Sequence, residues 1–245
     1  MNGYHYVWLS WSLAFLLAFA LIYIAFPQHR RVMLRSALGT ALFGLSEPLF
    51  VPQYWNPPSL FDLAERTGFD LESIVFSFSI GGIGVVLYSL LTRRVAAPVG
   101  PHGRHRFHHL ALAVPVLVFV PLIGLGWNPI YPAVIAMVAG AGATMWCRPD
   151  LAAKTLVGGL LFLGFYSGFM VGLRISAPGF IEHVWNLPAL SGLLLAGIPV
   201  EELLFGGAFG LYWAGLYEHL TWTRPLSTPK GERANMENTH VQMTK

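Results

Sequence analysis

The chain is short of charge. Lys, Arg, Asp and Glu make up 11% of its 245 residues, where soluble domains carry about 25%. With 55% hydrophobic residues and a mean hydropathy of +0.56, this deficit argues against an ordinary soluble domain and points to a membrane protein. Cysteine is nearly absent too. The single Cys147 rules out an intrachain disulfide and any zinc site built on paired thiolates. A net charge of +3 is too small to suggest nucleic acid. No Gly-x-Gly-x-x-Gly follows a strand pattern, so no flavin- or nicotinamide-binding fold is legible. The last apolar span has no lysine for a Schiff base, which argues against a retinal protein. No Asp-rich pair stands at the spacing of a magnesium-dependent prenyltransferase. A secretory signal is not expected either: His5 to Phe26 exceeds the roughly 7–15 residues of a signal core, without a basic lead or a small-residue cleavage site.

What is present is a series of apolar stretches. A spanning helix needs about 20 such residues. Seven stretches qualify: Tyr4–Phe26, Val32–Val51, Phe69–Leu91, Leu110–Gly126, Ile130–Cys147, Thr155–Ile175 and Leu190–Leu220. The last is long, and Pro199 is expected to break or start it. Basic residues follow the odd-numbered spans: Arg30, Arg31 and Arg35; Arg93, Arg94, Arg104 and Arg106; Arg148 and Lys154; Arg224, Lys230, Arg233 and Lys245. Only Arg66 and Arg174 fall on the other side. The positive-inside rule then places the N-terminus outside and the C-terminus in the cytoplasm. Residues 223–245 are polar, without apolar periodicity, and read as a disordered cytoplasmic tail.

The chain also repeats itself. Trp55, Asn56 and Pro58 match Trp185, Asn186 and Pro188 at an offset of 130 (185 − 55). Glu72, Phe76, Gly81, Leu87 and Tyr88 match Glu201, Phe205, Gly210, Leu216 and Tyr217 at 129 (201 − 72). Ser46 and Pro48 match Ser176 and Pro178. The expected fold is therefore an all-α integral membrane domain over residues 1–222. It has seven transmembrane helices in tandem parallel three-helix repeats, spans 1–3 (about 4–91) and 5–7 (about 130–220), joined by span 4 (110–126). Membrane sites often lie between such repeats, so Glu72 and Glu201 are expected to face a shared central space.

Two readings of the acids stand side by side. Glu201 and Glu202 follow Pro199, and Glu72 follows the candidate N-cap Asp70; acids in a first helical turn complement the helix dipole and mark helix starts. Against that, the repeat supplies a glutamate twice, Glu47 ends span 2 on the same side, and Arg174 lies at similar depth as a pairing partner. Ionisable groups at membrane depth are costly and usually functional. Acids held close together favour one protonated and one ionised carboxyl, which suits acid/base work. Glu201, Phe205, Ala208 and Tyr212 share one helix face, as do Glu72, Phe76, Ser79 and Ile83. Such a stripe fits a long hydrocarbon lying in the membrane, or ordinary helix packing. His102, His105, His108 and His109 lack an acidic partner and read as a basic loop on anionic lipid rather than a metal site. Tyr88, Tyr217, Trp222, Trp55 and Trp185 fit interfacial aromatics, and Glu218 a solvated helix end.

"PVEELLF", Pro199–Phe205, resembles the Pro-x-Glu-Glu/Asp signature of the flavin-independent membrane lycopene cyclases, of the bacterial heterodimeric and fungal or archaeal fused types. The Trp-containing segment before it, Tyr217-Glu218 at the far end of the helix and the layout in two related halves are similar too. The first half departs from the pattern: Asp70-Leu71-Glu72-Ser73 lacks the proline and the second acid. The resemblance implies carotenoid biosynthesis in the membrane, an intramolecular lyase that cyclises the ψ-ends of lycopene or a related carotenoid without redox chemistry. It implies Glu201, Glu202 and Glu72 as catalytic acids, with Glu47, Arg174 and Asp70 in support. Phe76, Phe205, Tyr212, Trp55 and Trp185 are the expected substrate-lining residues. No cofactor and no metal are expected. The expected partners are the isoprenoid or carotenoid substrate and the bilayer of an inner or plasma membrane, and no nucleic acid; a second copy of the chain and other carotenoid enzymes are further candidates. A carotenoid hydratase, and a non-catalytic carotenoid-binding, lipid-binding or transport protein, stand as alternatives.

Overall fold

The computed structural model describes residues 3–99 and 107–227, and they are mostly helical. α1 (Val7–Ala25) is apolar around its circumference. α2 (Arg30–Ala41) continues into a 3-10 segment, Leu42–Leu49, that contains Pro48. The short α3 (Leu63–Thr67) precedes α4 (Leu71–Gly84) and α5 (Leu87–Thr92), after which β1 (Arg94–Pro98) leaves the helical layer. The second part comprises α6 (His108–Ile123), α7 (Ile130–Cys147), α8 (Ala152–Ser176), the short α9 (Phe180–Val184), the hairpin of β2 (Leu194–Leu195) and β3 (Ile198–Pro199), α10 (Val200–Thr221) and β4 (Thr223–Ser227).

Among the described residues, four stretches are long and apolar enough to cross a membrane: Val7–Ala25, Leu71–Thr92, Ile130–Cys147 and Pro149–Ser176. Their outward residues, such as Leu17, Leu21, Leu160 and Ile175, are exposed leucines and isoleucines, as a lipid-facing surface requires. The other three expected spans correspond to shorter or more polar elements. α2 has 12 residues before its 3-10 extension, α6 has 16 and holds Pro115 and Pro121, and α10 carries Glu201, Glu202, Glu218 and His219. The last helix also starts later than Leu190. Gly192, Ala196 and Gly197 adopt positive φ, which turns the chain back through the β2–β3 hairpin, and Pro199 caps α10.

Contacts between the two halves are reciprocal. Trp55 and Trp185 form an isolated antiparallel bridge. Beside it, the Asn56 N–H donates to the Val184 carbonyl at 2.8 Å and the Asn186 N–H to the Tyr54 carbonyl at 2.9 Å. At the other end β1 pairs antiparallel with β4, with Ala96 opposite Pro225. The first residues of the expected tail are thus a strand; 228–245, and with them the rest of that expectation, lie outside the described residues. Glycines bring two pairs of helices close together, α2 with α4 and α8 with α10. A Cβ on Gly81 would strike Thr40 of α2, and one on Gly210 would strike Phe162 and Gly159 of α8. Small residues at these crossings let the backbones approach closely. The apolar core between them includes Phe15, Phe19, Ile80, Ile83, Phe162 and Phe209.

Candidate functional site

A cavity of about 360 Å³ opens between α1, the 3-10 segment, α4, α8 and α10. Its wall is mostly aromatic, including Trp8, Phe15, Trp55, Phe76, Phe205 and Trp213. Rings meet edge-on along it: Trp8 and Trp55 at 4.7 Å between centroids, Phe15 and Phe76 at 5.1 Å. Two carboxylates reach this wall, Glu202 and Glu47.

Glu202 lies in the first turn of α10 and is 4% exposed, so the protein itself must satisfy its oxygens. Three donors do so. The Tyr54 hydroxyl and the Trp185 indole N–H donate to Oε1, the latter at 2.8 Å, and the Tyr166 hydroxyl donates to Oε2. Each donor comes from a different segment: Tyr54 from the loop before Trp55, Trp185 from the end of α9, Tyr166 from mid-α8. Burial, and then the Glu202 carboxylate beside it, hold the Tyr54 hydroxyl well above the usual phenol range, so it remains a donor. Glu47 lies in the last turn of the 3-10 segment; its Oε1 is buried with no hydrogen-bond partner among the described residues. Among the described residues, no Lys or Arg lines the cavity.

The acids expected to act together are divided by the helical twist. Successive residues on an α-helix are about 100° apart, so Glu202 and Glu201 point in different directions. Glu202, Phe205, Phe209, Tyr212 and Trp213 give α10 its cavity face; Phe205 and Tyr212 of the face expected from Glu201 are on it, and Glu201 is not. Glu201 turns outward from the cavity, where its Oε1 accepts the Ser191 N–H at 2.9 Å and the Tyr131 hydroxyl at 2.8 Å. Glu72 does the same in the first half, accepting the Leu60 N–H at 2.7 Å. Each holds the loop that precedes its own helix, and neither lines the cavity, so the expected shared space between them is not formed. Asp70 caps α4 through the Ser73 N–H and hydroxyl. Arg174 donates to the Ala196 carbonyl, because the positive-φ turn presents that oxygen to the end of α8; among the described residues it pairs with no acid. All five expected lining residues, Phe76, Phe205, Tyr212, Trp55 and Trp185, are on the cavity wall.

The sequence did not single out Tyr54, Tyr166 or Trp213. Tyr166 carried the one usable signal, a phenol in the middle of a span otherwise built of glycine, leucine and phenylalanine. Tyr54 had none: its repeat counterpart at the 130 offset is Val184.

The opposite ends of the helices hold the other charged groups. Arg148 pairs with Asp150 at 2.7 Å, and Lys154 with Glu218, both about 1% exposed. Glu218 is therefore a buried ion-pair partner rather than a solvated helix end; α8 brings the Lys154 ammonium directly against it. Of the four loop histidines, His102 and His105 lie outside the described residues, His109 is exposed and His108 is buried. Three residues that could hold a metal ion converge here, His108, Cys147 and His219.

Residues 128–220 match the family model described as lycopene cyclase. That segment, from just before α7 to the end of α10, is similar to the lycopene cyclase family. It contains Glu201, Glu202, Tyr166 and Trp185, while Glu47 and Tyr54 lie before it. Neither the curated proteins nor the solved structures offer a match to the chain.

Proposed function

We propose that this membrane protein cyclises the ψ-end of lycopene or a related acyclic carotenoid by proton chemistry, with Glu47 and Glu202 as the working carboxyls. The observation that carries the reading is the placement of Glu202 on an aromatic cavity wall, held by Tyr54, Tyr166 and Trp185, inside the segment that matches the lycopene cyclase family model. The reaction needs a proton delivered to the terminal double bond, a closed ring formed from the resulting cation, and a proton removed from that ring. One proton enters and one leaves, so the step is an isomerisation and draws on no electron carrier.

Each requirement has a candidate group. Three donors converge on Glu202, the arrangement of an ionised carboxylate that stabilises positive charge and takes up the final proton. Glu47, whose Oε1 meets no donor among the described residues, is the counterpart that delivers the first. Trp8, Trp55, Phe76 and Phe205 present π-faces or edges to the space between, and aromatic faces attract a cation without acting as nucleophiles. A water-poor wall keeps the cation from being quenched. Glu201 and Glu72 serve this site indirectly, by fixing the loops that carry Trp185 and Trp55.

The reading includes a topology. Seven spans in two parallel three-helix halves are supported by the reciprocal bonds at Trp55 and Trp185 and by the β1–β4 pair. With basic segments in the cytoplasm, the N-terminus and the cavity lie toward the outer face of the inner or plasma membrane. Expression in cells that accumulate lycopene tests the function. Cyclised pigment supports it; a hydroxylated open chain means that water captures the cation; unchanged lycopene, with the protein present in the membrane, contradicts it.

A further inference from the structure

Three helices bring together a group of residues that the cyclisation does not use. His108 opens α6, Cys147 closes α7 and His219 sits in the last turn of α10. One potential ligating atom from each lies within 4.8 Å of those of the other two. Exposures of 1%, 5% and 0% keep bulk water from serving any of them. His219 is already oriented: its Nδ1 lies 3.1 Å from the Thr144 hydroxyl, while its Nε2 is buried without a hydrogen-bond partner among the described residues. Buried polar atoms are nearly always partnered, and an exception asks for an explanation. An imidazole fixed through one nitrogen and open at the other has the form of a metal-ligating histidine with its outer hydrogen bond in place. The rings of His108 and His219 stand edge to face, with centroids 4.7 Å apart, and Trp222 closes the far side of His108 at 5.1 Å.

We propose that His108, Cys147 and His219 form a binding site for a thiophilic d10 metal ion, zinc(II) or copper(I). Two imidazoles and one thiolate suit these ions and not hard cations such as magnesium or calcium. At bond lengths of about 2.3 Å to sulfur and 2.0–2.1 Å to nitrogen, ligand atoms stand about 3.3–3.8 Å apart. Closing from 4.8 Å is a movement of about 1 Å, within reach of side-chain rotation. The nearby cations do not oppose the ion: Arg148 is paired with Asp150 and Lys154 with Glu218. Binding releases the thiol proton, so affinity rises with pH. The ion ties together the ends of α6, α7 and α10, the ends away from the cavity. The ligands come from three separate helices, so no short metal-binding spacing marks them in the sequence.

The test uses the full chain purified in detergent, with added cobalt(II) as a spectroscopic stand-in for zinc and a copper(I)-chelator competition for copper. Bound metal in the purified protein is measured in parallel. The expected result is near-stoichiometric uptake of zinc or copper(I) and a thiolate-to-cobalt charge-transfer band. Both are lost in Cys147→Ser and His219→Gln and kept in His109→Gln, whose side chain is exposed. Thr144→Val, which removes only the outer hydrogen bond, weakens binding by about 10-fold or more. Gel-filtration profiles of the variants show that each is folded. Two results overturn the proposal: wild-type protein that takes up neither metal nor cobalt, or uptake unchanged in both Cys147→Ser and His219→Gln. Neither readout depends on pigment conversion, so a failed cyclase assay leaves this test intact.

Discussion

The Trp185 indole N–H donates to Glu202 Oε1 at 2.8 Å, and the backbone of the same tryptophan bridges to Trp55. One residue thus couples the site carboxylate to the contact between the two halves. Trp185→Phe keeps the ring and removes the donor. A hydrogen bond to a charged group contributes about 1.5–3 kcal/mol, so conversion should fall by about 10- to 100-fold while the membrane level of the protein holds. Tyr166→Phe should act in the same range, since it strips the only described donor from Oε2.

Glu201 and Glu202 are neighbours in sequence with different work in the structure. Glu201→Ala removes two hydrogen bonds, from Ser191 and Tyr131, and should lower thermal stability by about 2–4 kcal/mol. Glu201→Gln keeps an acceptor and should keep most of the conversion. Glu202→Gln should abolish it. Melting temperatures in detergent and pigment analysis of the same membranes separate the two effects.

Lys154 and Glu218 are both buried to about 1% exposure. Glu218→Gln leaves an ammonium without its counter-charge and should destabilise the protein by about 3–5 kcal/mol. The double variant Lys154→Met with Glu218→Leu removes both charges and should recover most of that loss. Melting curves of the single and double variants check this.

His29, in the turn between α1 and α2, gives a pH dependence. Burial first, then the charge of Lys154, hold its imidazole below the ordinary value of 6.5. The folded state therefore binds a proton less readily than the unfolded one. Stability is full above about 6.5 and declines as pH falls below it. His29→Gln should flatten the melting temperature across that acidic range, measured between neutral pH and the onset of carboxylate titration.

Much of the frame was legible in the sequence. Apolar length and the basic segments mark the helices, and the matched Trp-Asn-x-Pro stretches marked the place where the halves meet at Trp55 and Trp185. Among the cavity-wall residues, Phe76, Phe205 and Tyr212 followed from helical spacing because an error of one position still leaves large aromatic residues on the same broad face, while Trp55 and Trp185 stood out as a matched pair. A carboxylate tolerates no such error. Glu201 and Glu202 differ by about 100° of rotation, and the repeat favoured Glu201, whose counterpart Glu72 matches it as a loop anchor. The sequence match singles out residues that occur twice, and the carboxylate with its two phenol donors occurs once: Glu202, Tyr54 and Tyr166. Glu218 was misread for a related reason, since its partner Lys154 comes from another helix and no local pattern joins them.

The central claim is that carboxyls on the cavity wall move protons to and from the carotenoid. The most direct measurement is conversion of lycopene in D2O by membranes containing the protein, with the product analysed by mass spectrometry. The account predicts cyclised product carrying one solvent deuteron per ring, and no product from Glu202→Gln present at the same membrane level. Cyclised product without deuterium, or undiminished conversion by Glu202→Gln, would contradict it.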